Sequence, residues 1–199
     1  MKTTIKRKMR QEVAKGHPLV RSEMTAKGLR GNTLSEMSAR GAVYRVARGV
    51  YAPSEGSPSE LFDYELAGKA VPKGVFTLLS ALRLHGLTDE NPRRMTMAIP
   101  VKGHAPKTTL PLDIVYMTPR LLNDDVVVLT EGQAAIKVFS VERTIAECFK
   151  VRNKIGVSVA VAALHEAVRK RRMDIAKFGE VLKRCRMLRV VQPYLEGLV

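Results

Sequence analysis

The spacing of apolar residues predicts two helices near the start of the chain. Apolar side chains four positions apart draw a stripe along one helical face over 2–15, before a glycine and a proline end the pattern. A second, shorter helix is expected within 19–27, where Ser22 can cap it and Met24 faces inward. A turn with two glycines over 28–31 separates it from the next element.

The third helix carries its polar residues on the outside. Asn32 and Thr33 both suit the cap position. Thr33 and Glu36 match the capping-box pattern, in which the glutamate reaches back to the backbone amide of the cap residue. Leu34 and Met37 point inward, and Gly41 ends the helix. The outer face is left with small or polar residues, which are Asn32, Thr33, Ser35, Glu36, Ala39 and Arg40. Such a face suits the major groove of DNA, where bulky side chains would hold a helix away from the base edges.

A β-hairpin is predicted over 42–52, because valines typical of strands flank the dipeptide Arg48-Gly49. A hairpin that follows a recognition helix is a wing. Its arginines, Arg45 and Arg48, would reach backbone phosphates or the minor groove. The order helix, helix, turn, helix and basic hairpin predicts a winged helix-turn-helix DNA-binding domain over 1–53.

Residues 54–59 are rich in serine, proline and glycine, and we interpret them as a linker. A second domain is then expected over 60–199. Its first helix is predicted over 60–70. The next is expected to open near Pro72 and to include Val75 in its apolar stripe.

Short segments of strand character follow, separated by glycine, proline and lysine. They are predicted at 94–100, 112–117, 126–129 and 135–139, and we interpret them as a small, mostly antiparallel sheet. Carboxy-terminal helices are expected over 141–151, over 158–170 and after Asp174, until Pro193 breaks the last one. The fold class is therefore α+β, with an amino-terminal winged helix-turn-helix followed by a larger mixed α/β domain.

The distribution of charge along the chain adds more to the functional interpretation than the overall composition does. The chain carries 34 lysine and arginine residues against 19 acidic ones, a formal net charge of +15. Residues 1–52 hold twelve basic residues and three glutamates, a net +9, whereas residues 53–115 hold seven of each. Such a concentration is the footprint expected of a protein that binds a polyanion, with nucleic acid the first candidate. A cationic protein without such a partner is the alternative.

Composition also argues against several kinds of protein. The longest apolar stretch, 157–164, is far shorter than a bilayer-spanning helix, and the start lacks a secretory signal, so we expect a cytoplasmic protein. Cys148 and Cys185 are far apart and the histidines are scattered, so neither a disulfide nor a metal site is expected. Cys185 is interpreted as a packing residue, and His85 as a buried or helix-capping residue.

Catalysis has little support in the sequence. Asp113, Glu131 and Lys137 lie on or near predicted strands, as the residues of metal-dependent nucleases do. Such enzymes place the glutamate and lysine two apart on one strand, whereas six positions separate them here. No GxxxxGK[ST] loop and no GxSxG motif occurs. We expect no catalytic residue, no metal and no cofactor, with a metal-dependent nuclease as the enzymatic alternative.

Five segments of the chain resemble a known family. They are Arg45-Val46-Ala47-Arg48-Gly49-Val50-Tyr51-Ala52 in the predicted wing, and 71–75, 78–88, 139–149 and 154–156 after it. Together they resemble the AbiEi-type antitoxins of type IV toxin–antitoxin systems, over most of the chain.

The resemblance implies a winged-helix domain joined to a larger antitoxin domain. Such a protein represses its own operon by binding inverted repeats upstream, so two copies are possible on the DNA. It counters a nucleotidyltransferase-like toxin without forming a stable complex. The DNA contacts that it implies are Asn32, Thr33, Ser35, Arg40, Arg45 and Arg48. Arg30, in the glycine turn, is a further candidate for contact with DNA.

Two questions stay open at this point. The protein could be a winged-helix regulator with no antitoxin role. The basic run over 169–172 could be a solvated helix end, a docking patch for an acidic partner, or a further contact with the DNA backbone.

Overall fold

The structure is a computed structural model that describes residues 11, 13–55, 60–131 and 134–197. By packing, the chain divides into two units. The amino-terminal unit comprises the residues up to Lys73 together with His104–Leu110 and Thr130–Ile136, and the carboxy-terminal unit comprises the others. The division between Lys73 and Gly74 falls later than the boundary at 54–59 expected from composition. Residues 56–59 of that linker lie outside the described residues.

The amino-terminal unit contains one antiparallel sheet and three helices within its described residues. In chain order these are β1 (Leu19–Val20), α1 (Arg21–Ala26), α2 (Thr33–Ala39), β2 (Val43–Ala47), β3 (Val50–Pro53) and α3 (Phe62–Ala70). The strand order is β1–β3–β2. Of the helix predicted over 2–15, residues 1–10 and 12 lie outside the description, and residues 11, 13 and 14 are helical.

The predicted hairpin is confirmed. In the β2–β3 pair, Tyr44 lies opposite Ala52 and Arg45 opposite Tyr51. Gly49 follows Arg48 in the connecting turn with a φ of 77°, a left-handed conformation that glycine adopts without steric cost.

The short strand β1 was not predicted. Leu19 lies opposite Tyr51 and Val20 opposite Val50, so these two residues add a third strand to the hairpin. Helix α1 therefore starts at Arg21, and the prediction that Ser22 caps it is wrong. No side chain caps α1, while Met24 faces the core as expected.

Apolar residues on both sides of the hairpin explain why the amino-terminal unit continues into α3. One cluster joins β1, α1, α2 and the hairpin through Leu19, Met24, Leu29, Leu34, Val43 and Tyr51. A second packs Phe62 and Leu66 of α3 against Val46, Ala47, Val50 and Ala52. Burial of a side chain of this size stabilises the fold by about 1.5–3 kcal/mol. A fifty-residue segment gains a larger core in this way.

The described residues after Lys73 form a second sheet and seven helices. The strands are β4 (Val75–Phe76), β5 (Met95–Pro100), β6 (Leu112–Met117), β7 (Val126–Glu131) and β8 (Ala134–Phe139). The helices are α4 (Leu78–Leu84), α5 (Pro119–Asn123), α6 (Val141–Lys150), α7 (Arg152–Ile155), α8 (Val157–Arg169), α9 (Ile175–Cys185) and α10 (Leu188–Glu196). The strand order is β6–β5–β4–β8–β7.

The five-stranded sheet is mixed, so the prediction of a mostly antiparallel sheet is wrong. Strands β5 and β6 run parallel along their whole length, with Met95 opposite Leu112 and Pro100 opposite Met117. Strand β4 is antiparallel to β5 but parallel to β8, where Phe76 lies opposite Val138. Short strands bounded by glycine and proline are typical of hairpins, but the direction of each pairing depends on contacts distant in sequence.

Three local predictions for the later part of the chain can be compared with the structure. Val75 lies in strand β4 and not in a helix, because its side chain packs in a buried cluster with Ala98 and Phe139. The Ser140 cap is confirmed, since its hydroxyl oxygen accepts a hydrogen bond from the Arg143 N–H. Pro193 lies inside α10 and does not break it. Among the described residues, no helix is both long and apolar enough to cross a bilayer.

Candidate nucleic-acid interface

An open groove of about 730 Å³ lies between α1, α2 and the tip of the β2–β3 hairpin. It is therefore built entirely within the amino-terminal unit. Its lining is polar and cationic and consists of Val20, Arg21, Ser22, Thr25, Ser35, Arg45, Arg48, Gly49 and Tyr51. No carboxylate is among these residues. Three arginines thus face a concave surface that solvent can enter.

Arg21 joins the three walls of this groove. Its backbone N–H donates a hydrogen bond of 2.8 Å to the carbonyl oxygen of Gly49, which ties the start of α1 to the hairpin tip. Its guanidinium lies against Gly31, where a Cβ atom would stand 3.2 Å from the Arg21 Nη2 atom. A larger residue in place of Gly31 would therefore push this guanidinium aside.

The two arginines of the hairpin differ in their surroundings. The Nε atom of Arg45 donates a 3.3 Å hydrogen bond to the carbonyl oxygen of Ala47, at a point where the β2–β3 register shifts. This bond orients Arg45 along its own strand. Arg48 is exposed at the tip, and its side chain has no partner among the described residues. It is therefore free to pair with an anion.

Ser35 brings helix α2 into the same groove. Its hydroxyl lies 3.4 Å from the Tyr51 hydroxyl on β3. Leu34, the neighbouring residue, is 2% exposed and holds the helix against the core. The helix thus presents one hydroxyl to the groove and directs the rest of its polar face to solvent.

The start of α2 differs from the prediction. Asn32, one of the two expected cap residues, stands at the cap position, but its helical backbone leaves no side-chain capping bond. The Asn32 Nδ2 atom donates instead to the Glu36 Oε1 atom at 2.7 Å. The predicted capping box is therefore wrong. One N–H of the Asn32 side-chain amide is therefore already hydrogen-bonded. This amide lies on the helix face that is expected to contact the bases.

The structure brings together three of the seven residues expected to contact DNA. Ser35, Arg45 and Arg48 line the groove. The other four do not line it: Arg30, Asn32 and Arg40 are exposed, and Thr33 is half-buried. Sequence reasoning missed Arg21, Ser22, Thr25 and Tyr51. These four residues could have been identified only from the pairing of β1 with β3, because that pairing places the start of α1 beside the hairpin tip.

In the carboxy-terminal unit, the polar residues of segment 139–149 form buried hydrogen bonds and an ion pair, although the buried Arg143 Nη1 atom has no partner among the described residues. Arg143 and Glu147 form a buried ion pair of 2.8 Å, and the Thr77 hydroxyl donates to the other Glu147 carboxylate oxygen at 2.6 Å. Burial acts to lower the pKa of Arg143, but the charge and hydrogen bond of Glu147, together with the charges of Cys185 and Asp125, outweigh it, so the pKa is raised. The Arg143 guanidinium also lies over the Phe139 ring. These groups hold α6 in place and are not presented to a substrate.

Buried groups of the carboxy-terminal unit agree with a packing role. His85 is buried, and its Nε2–H donates to the Phe139 carbonyl oxygen at 2.7 Å. Burial lowers the pKa of His85, so the ring is neutral at neutral pH. Burial raises the pKa of the Cys148 and Cys185 thiols, which disfavours the reactive thiolate. His85 and Cys185 are thus confirmed as packing residues.

Of the residues considered for nuclease chemistry, Asp113 is paired with an arginine. The Arg94 Nε atom donates to the Asp113 carboxylate at 2.6 Å, which occupies that group at the sheet surface. Within the described part of the chain, no three metal-ligating side chains converge. The side chains of Glu131 and its neighbours in the turn lie outside that part.

The basic run over 169–172 is mostly engaged within the carboxy-terminal unit. Arg169 and Lys170 both bind Glu166, and Lys170 also donates to the Gly86 carbonyl oxygen at 2.7 Å. Arg172 donates to the His85 carbonyl oxygen at 2.8 Å. Lys170 and Arg172 therefore cap the carboxyl end of α4, where the helix dipole favours positive charge.

Comparison with known proteins is limited to the fold. No protein-family model and no curated protein matches this sequence. The structure is similar to the crystal structure of the Rv2827c protein from Mycobacterium tuberculosis, with a TM-score of 0.59 and 12% sequence identity. The similarity covers 85% of this chain and 67% of that one. Identity at this level shows a shared fold and no more.

Proposed function

We propose that this protein is a winged-helix DNA-binding repressor, in which α2 reads the major groove and the β2–β3 hairpin is the wing. The observation that carries the proposal is the groove in which Arg21, Arg45 and Arg48 lie beside Ser35 of α2. Two short helices, a glycine turn and a basic hairpin follow one another in the order that this type of domain requires.

The arginines of the groove and the exposed face of α2 contribute differently to DNA binding. Arginines at the groove and hairpin tip neutralise backbone phosphates, and the counterions that they release make the affinity strongly dependent on salt. The exposed face of α2 supplies sequence preference through contacts to base edges. The Leu34 anchor and the Asn32–Glu36 bond fix the orientation of this face, so little side-chain freedom is lost on binding.

The regulatory role proposed is repression of the protein's own operon through inverted repeats, with two copies on the DNA. We further propose that it is the antitoxin of a nucleotidyltransferase-like toxin, without a stable complex between them. This half of the proposal is supported by the resemblance of 45–52, 71–75, 78–88, 139–149 and 154–156 to AbiEi-type antitoxins.

Footprinting on the region upstream of the gene, at two salt concentrations, tests the DNA-binding half. Wild-type protein should protect a repeated site and lose protection at high salt. The Arg45→Ala/Arg48→Ala variant should protect it weakly or not at all. Lys73→Ala removes an exposed cation of the same unit that does not line the groove, and it should behave as wild type. Equal protection by all three proteins would contradict the assignment of the groove.

Co-expression with the neighbouring reading frame tests the antitoxin half. If that frame encodes a nucleotidyltransferase that arrests growth, this protein should restore growth, and the Arg45→Ala/Arg48→Ala variant should still do so. Failure to restore growth, with repression intact, would leave a regulator without antitoxin activity.

A further inference from the structure

A second cationic surface lies in the carboxy-terminal unit, where α6 and α9 end. Helices α6 and α9 pack against each other through buried apolar residues. At their starts, the Asp174 N–H donates to a Glu142 carboxylate oxygen at 3.1 Å. Helix α9 ends at Cys185, and α10, which begins at Leu188, returns to the end of α6. The Phe149 ring lies 5.3 Å from the Tyr194 ring, so α10 joins the same end.

This end of the helix pair is rich in cations and poor in acidic groups. Neither residues 148–165 nor residues 181–195 contain an aspartate or glutamate. Asp125 reaches this region but is paired with Arg184. We call the remaining cations the helix-end patch, and they are Lys150, Arg152, Lys154, Lys183, Arg186 and Arg189.

Helix capping explains only part of this charge. Cations are favoured in the last turn of a helix, which accounts for Lys150 and Lys183. Arg186, however, adopts a left-handed conformation with a φ of 58°, at a position where glycine is the favoured residue. Arg189 lies in the first turn of α10, where the dipole disfavours a cation and no acidic residue is present. Both arginines therefore occupy positions where local stability would favour another residue.

We propose that the helix-end patch binds the phosphate backbone of a nucleic acid. Arginine guanidinium groups form paired hydrogen bonds with phosphate oxygens. A protein partner would require an apolar centre in the interface, and none of the large apolar side chains in 150–155 or 183–190 is exposed. The patch lies within one unit, and the inference does not depend on the groove between α1 and the hairpin.

Binding of the full chain to a fluorescent duplex of about 20 base pairs, over a series of salt concentrations, tests this proposal. Arg186→Gly/Arg189→Gln should bind several-fold more weakly, and the slope of log affinity against log salt should fall by about two. The matched control is Arg171→Gly. Arg171 is also exposed and left-handed after a helix, with a φ of 53°, but it lies near the start of α9.

The outcomes separate this proposal from that for the groove. An unchanged slope and affinity in Arg186→Gly/Arg189→Gln, or an equal loss in Arg171→Gly, would overturn the helix-end patch as a binding site. Arg186→Gly should also melt a few degrees higher than wild type, which excludes unfolding as the cause of lost binding. Polyglutamate that displaces the duplex at equal charge would overturn the assignment to nucleic acid. Loss of binding in Arg45→Ala/Arg48→Ala alone bears only on the groove.

Discussion

The Arg21 N–H donates a hydrogen bond to the Gly49 carbonyl oxygen, and this contact joins the first described helix to the tip of the hairpin. The two residues lie far apart in sequence, yet the contact positions the Arg21 side chain beside Arg45 and Arg48. The groove is therefore formed by pairing of β1 with β3 and not by any one segment.

Arg21→Ala and Arg48→Ala should each weaken binding to all DNA sequences to a similar degree. Each removes one phosphate contact, so the slope of log affinity against log salt should fall by about one. Lys73→Ala removes the same charge outside the groove and should leave the slope unchanged. Anisotropy measurements on a cognate and an unrelated duplex give these slopes, and a loss confined to the cognate duplex would contradict the phosphate role.

Asn32→Ala should relax sequence preference with little change in binding to unrelated DNA. A base contact of this kind discriminates between bases by about 1–3 kcal/mol. Glu36→Gln keeps the length of the Asn32 partner but removes a negative charge from the DNA-facing side, so it should strengthen binding to all sequences. The ratio of cognate to unrelated affinity is the quantity to measure. If Asn32→Ala leaves this ratio unchanged, α2 does not read bases through Asn32.

Arg143→Met should destabilise the protein by about 3–5 kcal/mol, because it leaves the Glu147 carboxylate buried without its cation. Arg143→Met/Glu147→Met should recover most of this loss, since two apolar side chains replace the buried pair. Urea unfolding of the two variants and of wild type measures both values. A single variant as stable as wild type would show that this ion pair does not stabilise α6.

The buried His85 should make stability depend on pH. Burial lowers its folded pKa below the ordinary 6.5, so the unfolded state binds the proton more readily. The contribution of neutral His85 to the free energy of unfolding is fully present above about pH 6.5 and decreases as the pH falls toward the folded pKa. His85→Gln keeps a donor for the Phe139 carbonyl oxygen but cannot titrate. Urea unfolding between about pH 7.5 and pH 5.5 should show a smaller loss of stability for this variant than for wild type.

Two neighbours in the basic run should differ in their effect on stability. Arg172→Ala removes the hydrogen bond to the His85 carbonyl oxygen and should cost about 1 kcal/mol. Arg171→Gly removes no bond between described side chains and relieves a left-handed conformation, so it should be neutral or stabilising by up to about 1 kcal/mol. Thermal unfolding distinguishes them. Equal destabilisation would mean that charge at this helix end, and not the bond, stabilises α4.

Local sequence signals predicted the parts of the fold that form from neighbouring residues. The Arg48-Gly49 turn, the Ser140 cap and the inward position of Met24 each depend on a few adjacent residues. Strand β1 could not be predicted, because Leu19 and Val20 become a strand only by pairing with β3. The direction of β5 against β6 likewise depends on how the chain returns, which no local pattern records.

The candidate site was predictable to the same extent. The hairpin placed Arg45 and Arg48 near one another, and the inward pair Leu34 and Met37 located α2. Arg21 had no distinguishing feature in the sequence, since its role follows from the contact with Gly49. The engagement of Asn32 by Glu36 could have been expected from their spacing of four, which is that of facing side chains on a helix.

The placement of β4 has a consequence for the order of folding during synthesis. This two-residue strand lies between β5 and β8, so its second edge stays open until Val138 has left the ribosome. The sheet formed by β1, β2 and β3 needs only residues up to Pro53 and can form while the rest of the chain is still being made. We therefore expect the first sheet to form during synthesis and the five-stranded sheet to be completed only after Val138 has been made.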